Sequence, residues 1–365
     1  MKATYTMGMK PDGRELLVVV VKGTFNIPAD PQEPPTLAAV QEDFVMADRF
    51  SGDPGFSAPV YESEFAPFKP RCDVLLNGSA YAPAGKPATR VQVGLRVGAL
   101  RKTFDVIGDR VWRRDFLAVA PTPPAPFTVM PISYDRAFGG SDCSHEDPKR
   151  HDAWMENPVG RGFHVNDAKG AIDGRPLPNT EAVGSSVTNP KGSYRPMSFG
   201  PVGRGWQPRS NYAGTYDQRW IDDVFPFLPA DFDEQYYQSS PEDQQLDKLE
   251  GGEEVVLLNL TPRGQTFFKV PSVRVPITIY LRNHEERQMQ AVNDTLVIEP
   301  DLGRIILLWR TALPLKRNMF EVAQIVVGTM PRAWHRARIS GKAWYPSLKH
   351  LVEEKRSDRS GEVGV

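Results

Sequence analysis

Cysteine is nearly absent from the chain: Cys72 and Cys143 are the only two in 365 residues. That is too few for a disulfide scaffold, and in a reducing compartment both stay thiols. Net charge is missing as well, because 44 Lys and Arg stand against 45 Asp and Glu, leaving −1. This excludes a chain-wide binder of nucleic acid or anionic membrane, which needs surplus cations to neutralise phosphates. No apolar run approaches the roughly 18 residues of a membrane helix. The run Leu16 to Val21 is closed off by Glu15 and Lys22 and has no small-residue cleavage site after it. No secretory leader is read there, and the expectation is a soluble, cytoplasmic protein. Catalytic signatures are missing too: there is no G-x-S-x-G, no H-E-x-x-H, no G-x-x-x-x-G-K-[ST], and no G-x-G-x-x-G between strand and helix.

Proline and glycine are abundant, at 34 and 30 residues, well above the roughly 12% that the two contribute on average. Both destabilise helix interiors, so turns and strands are expected to dominate. Glu15 to Ile27 is a β-branched run suited to a strand buried on both faces at one end. Cys72 to Tyr81 reads as a second strand, and Thr89 to Val97 alternates apolar with charged residues. Arg101 to Ile107 and Arg110 to Trp112 flank a Gly108-Asp109 hairpin signal. Strand-like runs return at Glu253 to Leu260, Gln265 to Val270, Ser272 to Leu281, Thr295 to Glu299, Arg304 to Leu313 and Phe320 to Val327. Pro271 and Pro276 mark the strands between Thr266 and Tyr280 as edges.

Between these halves, residues 119 to 245 show no period. Pro121, Pro123, Pro124 and Pro126 open the stretch, which is then rich in Gly, Asn, Arg and aromatics from Phe127 to Tyr237. Disordered segments are poor in aromatics, so an ordered, loop-rich layer is expected. The fold class is therefore mainly β, with two antiparallel β-sandwich-like domains joined by a loop-rich middle region. The boundaries are 1–118 for the N-terminal sandwich, 119–245 for the middle, 246–346 for the C-terminal sandwich, and 347–365 for a short helix and flexible tail.

Side chains able to do chemistry are scattered. Cys143, His145 and His151 lie beside Asp142, Glu146 and Asp147, but their spacing matches no standard zinc pattern. A solvated polar loop is the favoured reading, and no metal or cofactor is expected. Asp231, Asp233 and Glu242 are candidates for paired-carboxylate hydrolysis. Helix capping competes with that role, with Ser240 as N-cap and Pro241 in the first turn. Gly160-Arg161-Gly162 and Gly203-Arg204-Gly205 have the form of anion-binding nests, although a rigid corner with Arg stacked on an aromatic ring is the more frequent use of that pattern. Arg195, Arg204, Arg209 and Arg219 interleave with Tyr194, Trp206, Tyr212, Tyr216 and Trp220. That mixture suits single-stranded nucleic acid or a protein hot spot, and charge balance favours the protein.

Within the middle region an ordered series of segments stands out. It runs Met130-Pro131-Ile132-Ser133-Tyr134-Asp135-Arg136-Ala137-Phe138-Gly139-Gly140, Glu156-Asn157-Pro158-Val159-Gly160-Arg161-Gly162-Phe163, Pro176-Leu177-Pro178-Asn179, Phe199-Gly200-Pro201-Val202 and Trp206-Gln207-Pro208-Arg209. It continues through Ala213-Gly214-Thr215-Tyr216-Asp217 with Trp220, Leu228-Pro229-Ala230-Asp231-Phe232-Asp233, and Ser240-Pro241-Glu242-Asp243-Gln244. Over about residues 1 to 315 the chain resembles the domain-of-unknown-function 2169 family, whose members are encoded in type VI secretion effector loci. The tail after Trp344 lies outside the resemblance. The likeness implies an adaptor or chaperone, not an enzyme. Its implied partners are a toxic secreted effector, a PAAR-like spike-tip domain and the VgrG spike protein, with neither nucleic acid nor membrane as partner. The alternatives are a hydrolase using an Asp/Glu pair and a carbohydrate-binding β-sandwich, which requires exposed coplanar aromatics. Arg136, Phe138, Arg161, Phe163, Trp206, Arg209, Tyr216 and Trp220 are the candidate partner-binding residues. For each, the competing role is internal: holding a strand-poor layer together.

Overall fold

A computed structural model describes residues 1–10, 12–115, 118–166 and 170–345. The short helix and tail expected over 347–365 lie outside the described residues. The chain is mainly β, with several antiparallel sheets and no barrel, as the alternating patterns predict. In chain order the longer strands are β1 (Lys2–Met9), β2 (Glu15–Asn26), β3 (Cys72–Leu76), β4 (Arg90–Val97), β5 (Leu100–Ile107), β6 (Glu254–Leu258) and β7 (Gln265–Lys269). They continue with β8 (Pro276–Leu281), β9 (Glu286–Gln290), β10 (Val292–Glu299), β11 (Arg304–Pro314) and β12 (Val322–Val327). Two short α-helices follow the same numbering, α1 (Gln218–Asp223) and α2 (Arg332–Ile339).

Among the described residues two compact units form, one of Met1–Val275 with Gln290–Glu321, the other of Pro276–Met289 with residues 322–345. The first holds a sheet of order β1-β2-β11-β10-β3, extended by Gln245–Leu246 and with Thr36–Leu37 added to β2. It also holds a sheet of order β5-β4-β6-β7, with Thr180–Glu181 at the β5 edge. The divisions at 118 and 246 therefore do not separate the sheets, since each sheet takes strands from both ends of the chain. The cause is hydrophobicity on both faces. β2 is buried from Leu16 to Phe25, and such a strand needs an equally apolar neighbour, which it finds in β11, from Leu16 opposite Pro314 to Asn26 opposite Arg304. Val18, Val19 and Val20 are at most 1% exposed, and burying each stabilises the fold by about 1.5–3 kcal/mol relative to exposure.

The expected Gly108-Asp109 hairpin is not formed. The tight turn lies instead between β4 and β5, where Val97 pairs with Leu100 and Gly98 has φ +56°. Gly108 serves a close chain approach, because a Cβ there would sit 1.7 Å from the Ala125 carbonyl oxygen. Of the two strands marked as edges by proline, β7 is an edge, while β8 is central in the second unit, in the order β9-β8-β12. Pro276 is the first residue of β8, where a missing N–H costs the ladder little. In that unit Tyr280, Val326 and Trp334 form a small core, and the Arg338 guanidinium lies 3.5 Å from the centre of the Tyr280 ring.

Ion pairs inside the first unit stitch loops to the large sheet. Lys22, within the apolar β2, donates to Glu64 Oε1 and the Asp43 carbonyl, both at 2.7 Å. Arg310, paired with Asp294 on the neighbouring strand, also donates to the Glu64 and Ala66 carbonyls of a loop at 2.9 and 2.5 Å. Asp73, fully buried on β3, accepts six hydrogen bonds: one from Lys69 Nζ at 2.6 Å, and five from Gln238, Ser239 and Ser240 at 2.6–3.1 Å. Burial alone would raise this carboxyl, but Lys69 and the surrounding donors hold it below its ordinary value. The Asp73 carboxylate thereby gathers three residues at the end of the middle region onto the sheet, beside the Gln245–Leu246 pairing with β3.

Candidate protein-docking surface

The inner part of the middle region is built from glycine corners. Gly139, Gly140 and Gly162 have φ of +143°, +112° and +98°, and a Cβ on Gly139 would lie 2.1 Å from the Asn157 carbonyl oxygen. The corners let Phe138–Gly139 run parallel to Arg161–Gly162. Asn157, with no exposure, donates to the carbonyls of Tyr134 and Phe138 at 2.8 and 3.0 Å. Hydrogen bonds that a strand ladder would supply are thus made by one amide side chain.

Six of the eight residues singled out from the sequence belong to this interior. Phe138 is completely buried, 5.0–6.5 Å from the rings of Trp154, Phe163 and Tyr194, in a cluster with Trp112, Ile172, Leu177 and Val187. Phe163 packs against the same cluster. Arg136 Nη1 donates to Asn179 Oδ1 at 3.1 Å and Arg161 Nε to the Asp135 carbonyl at 2.8 Å. Burial and the charge of Arg136 lower the pKa of Arg161. Trp206 meets Tyr134 edge-on at 5.5 Å in a core with Ala58 and Ala137. Arg209, 5% exposed, donates to the Tyr236 and Val202 carbonyls and to Glu62 Oε1 at 2.9, 2.8 and 2.6 Å.

Tyr216 and Trp220 stand apart. Asp217 caps α1 by accepting the Trp220 N–H at 2.9 Å, and Trp220 Nε1 donates to the Phe227 carbonyl at 2.9 Å. These two bonds fix the indole, which meets Tyr216 at 4.7 Å and Phe225 at 5.6 Å. Tyr216, Ile221, Phe225 and Phe227 are 51, 55, 66 and 43% exposed. The Phe227 ring lies over Gly13, where a Cβ would come within 2.6 Å of it. The result is a platform of rings open to solvent, with Asp222 and Asp223 of α1 exposed beside it. Exposed apolar residues are ordinary singly but informative in contiguous patches. Ile221, Phe225 and Phe227 were not among the sequence candidates. For Phe225 and Phe227 the signal is an apolar run, Val224 to Ala230, punctuated by Pro226 and Pro229 and bounded by acids, with no period to assign it to an element.

The remaining candidates are occupied locally. Asp231 accepts the Thr215 N–H and hydroxyl at 3.0 and 2.7 Å, which lower its pKa, and Asp233 caps Glu234–Tyr237. Ser240 does not cap Glu242–Gln244 as expected. Its hydroxyl goes to Asp73, and Pro241 takes the N-cap position. Asp142 accepts from Ser144, Val165 and Asn166, with His164 Nδ1 at 3.3 Å. Cys72 is buried and Cys143 exposed, both as free thiols. Among the described residues no three metal-capable side chains converge. The arginines of the interleaved stretch are paired: Arg195 with Asp243 at 2.9 Å, and Arg204 with Asp48 and Glu62 at 3.0 and 2.7 Å. The two Gly-Arg-Gly turns thus use arginine to tie loops through oxygens, and neither stacks its guanidinium on a ring.

A bacterial family model described as "Uncharacterized protein conserved in bacteria (DUF2169)" matches residues 12–310. No curated protein and no solved structure matches the chain. The match spans most of the sequence, and the chain belongs to this family.

Proposed function

We propose that this DUF2169 family member is a non-enzymatic adaptor or chaperone of type VI secretion. In this reading it acts in the cytoplasm, binds a toxic effector or its PAAR-like spike-tip domain, and helps load it onto the VgrG spike. The observation that carries the reading is the platform of Tyr216, Trp220, Ile221, Phe225 and Phe227. Its rings are held by their own hydrogen bonds and edge contacts, so they lose little freedom when covered. Aromatic anchors of this kind dominate the energetics of protein interfaces. Two competing uses have less support. Asp231 and Asp233, two of the three carboxylates offered for hydrolysis, are spent on a turn and a cap, and the rings of Tyr216 and Phe225 stand at 72° and 87° to the Trp220 indole between them, not as the coplanar row that stacks a sugar.

The test is co-expression with the effector encoded beside this gene, followed by affinity capture and a secretion assay. Wild type is expected to hold the effector, while Phe225→Ser combined with Ile221→Ser loses it with unchanged melting temperature. No complex with wild type, together with normal effector secretion after deletion of the gene, defeats the proposal.

A further inference from the structure

The two larger sheets of the first unit have four ends, and three of them are short. Gln245–Leu246 and Thr180–Glu181 are two residues each, and β7 is five residues long and closes on Lys269. Short or charged edges keep a sheet from pairing with other chains. The fourth end, β1, has neither protection. Its eight residues pair with β2 in an unbroken register, from Lys2 opposite Lys22 to Met9 opposite Glu15. Among the described residues no other segment pairs with its outer side. From Ala3 to Met9 it holds no charge, no proline and no bulge.

On one face of β2, Leu17, Val19 and Val21 are at most 1% exposed. Their β1 neighbours on that face, Met7, Tyr5 and Ala3, are all exposed, Tyr5 by 54%. The apolar face of the sheet thus continues one strand beyond the layer that covers it. Lys2, the one charge of β1, is paired with Asp43.

We propose that β1 pairs antiparallel with β1 of a second copy of the chain, joining two large sheets into one across a two-fold axis at Tyr5. The strand is self-complementary in that register. Opposite residues of an antiparallel pair share a face, so exposed residues meet exposed residues and the axis falls on a residue, not between two. With the axis at Tyr5 the two Tyr5 rings meet, Ala3 faces Met7, Thr4 faces Thr6 and Lys2 faces Gly8. Aromatic pairs and threonine pairs are favourable cross-strand neighbours, and like charges placed opposite are unfavourable. An axis at Thr6 sets Lys2 against Lys10, and an axis at Thr4 pairs only Lys2 to Thr6 within the strand. The contact is isologous, as in most soluble dimers. It is independent of the adaptor reading, since it needs neither an effector nor the ring platform.

The test uses the full chain with its purification tag at the C-terminus, sedimented between about 1 and 100 μM, a range that brackets a Kd of about 10 μM. A dimer is expected. Tyr5→Lys and Tyr5→Glu each place like charges across the axis, so each is expected to weaken the dimer by about tenfold or more, and an equimolar mixture of the two to recover it. Mixing does not rescue a chain that fails to fold, and the exposure of Tyr5 leaves the single copy intact. In a Cys143→Ser background, Tyr5→Cys is expected to give a disulfide-linked dimer on mild oxidation, and Phe267→Cys, on the β7 edge, to give none. A monomer throughout the range, a dimer indifferent to charge at Tyr5, charge variants that stay monomeric on mixing, or linking through Phe267→Cys and not Tyr5→Cys overturns the proposal.

Discussion

The inner and outer parts of the loop-rich middle region share a composition of glycine, proline, arginine and aromatics, yet they use it in opposite ways. From Tyr134 to Arg209 the rings face each other, and the arginines end on carbonyl and carboxylate oxygens of neighbouring loops. From Tyr216 to Phe227 the same residue types cover a six-residue helix and a short run after it, and half or more of the Tyr216 and Phe225 rings faces solvent. An arginine inside a strand-poor layer is a cross-link, since its planar fork can satisfy several orphan carbonyls at once. The rings of Tyr216, Trp220 and Phe225 pack on one another with no facing core to cover them. Residue type does not separate the two uses; the availability of unpaired backbone oxygens and of a facing core does.

The contrast can be broken most directly at Asp73, whose six hydrogen bonds anchor the end of the middle region. Asp73→Asn places an amide against donors and removes the partner of buried Lys69, so a loss of about 3–5 kcal/mol is expected in urea unfolding. Because the folded pKa of this carboxyl is depressed, its contribution is present above the unfolded value of about 4 and is lost as pH falls through the folded value. Wild type is therefore expected to lose stability toward acid more steeply than the variant. Phe138→Ala is expected to cost a similar amount, about 3–5 kcal/mol, read as a lower urea midpoint with an unchanged slope.

Lys102 sharpens the comparison through pH. Burial lowers its pKa to about 8, against the opposing pull of Asp243. Between pH 8 and the unfolded value near 10.4 the unfolded chain binds the extra proton, so wild type gains about 2 kcal/mol relative to Lys102→Met on going from pH 8 to pH 10. Equal slopes in the two proteins would remove the buried-lysine account. The smallest stability effect belongs to the platform, where Phe225→Ser is expected to shift unfolding by no more than about 0.5 kcal/mol. If that variant destabilises as Phe138→Ala does, the outer rings are core and the distinction between the two parts fails.

Part of this was legible from residues alone. The β2 run, the alternation in β4 and the apolar stretch of β11 each identify a strand, because side-chain period and burial are local properties. The hairpin was misplaced from Gly98 to Gly108 because both glycines follow a strand, and only the contact with Ala125 separates a glycine needed for room from one needed for a turn. Of the candidate residues, Tyr216 is exposed, Trp220, Arg136, Arg161 and Phe163 are half-buried, and Phe138, Trp206 and Arg209 are buried. No local pattern distinguishes them, since all occur in aperiodic, glycine-rich text.

The sequence by itself determined that the protein is mainly β, that it has no disulfide framework, and that its middle is an ordered layer tied by arginine and aromatic side chains. Those conclusions depend on composition and on patterns a few residues long. The tertiary structure alone decided that β2 pairs with β11, that Asp73 gathers Gln238, Ser239 and Ser240, and that Tyr216 is exposed while Trp206 is buried. Each of those outcomes depends on which distant segment satisfies a hydrogen bond or covers a ring. That choice is made by the whole chain competing for the same buried space, and a local pattern carries no record of it.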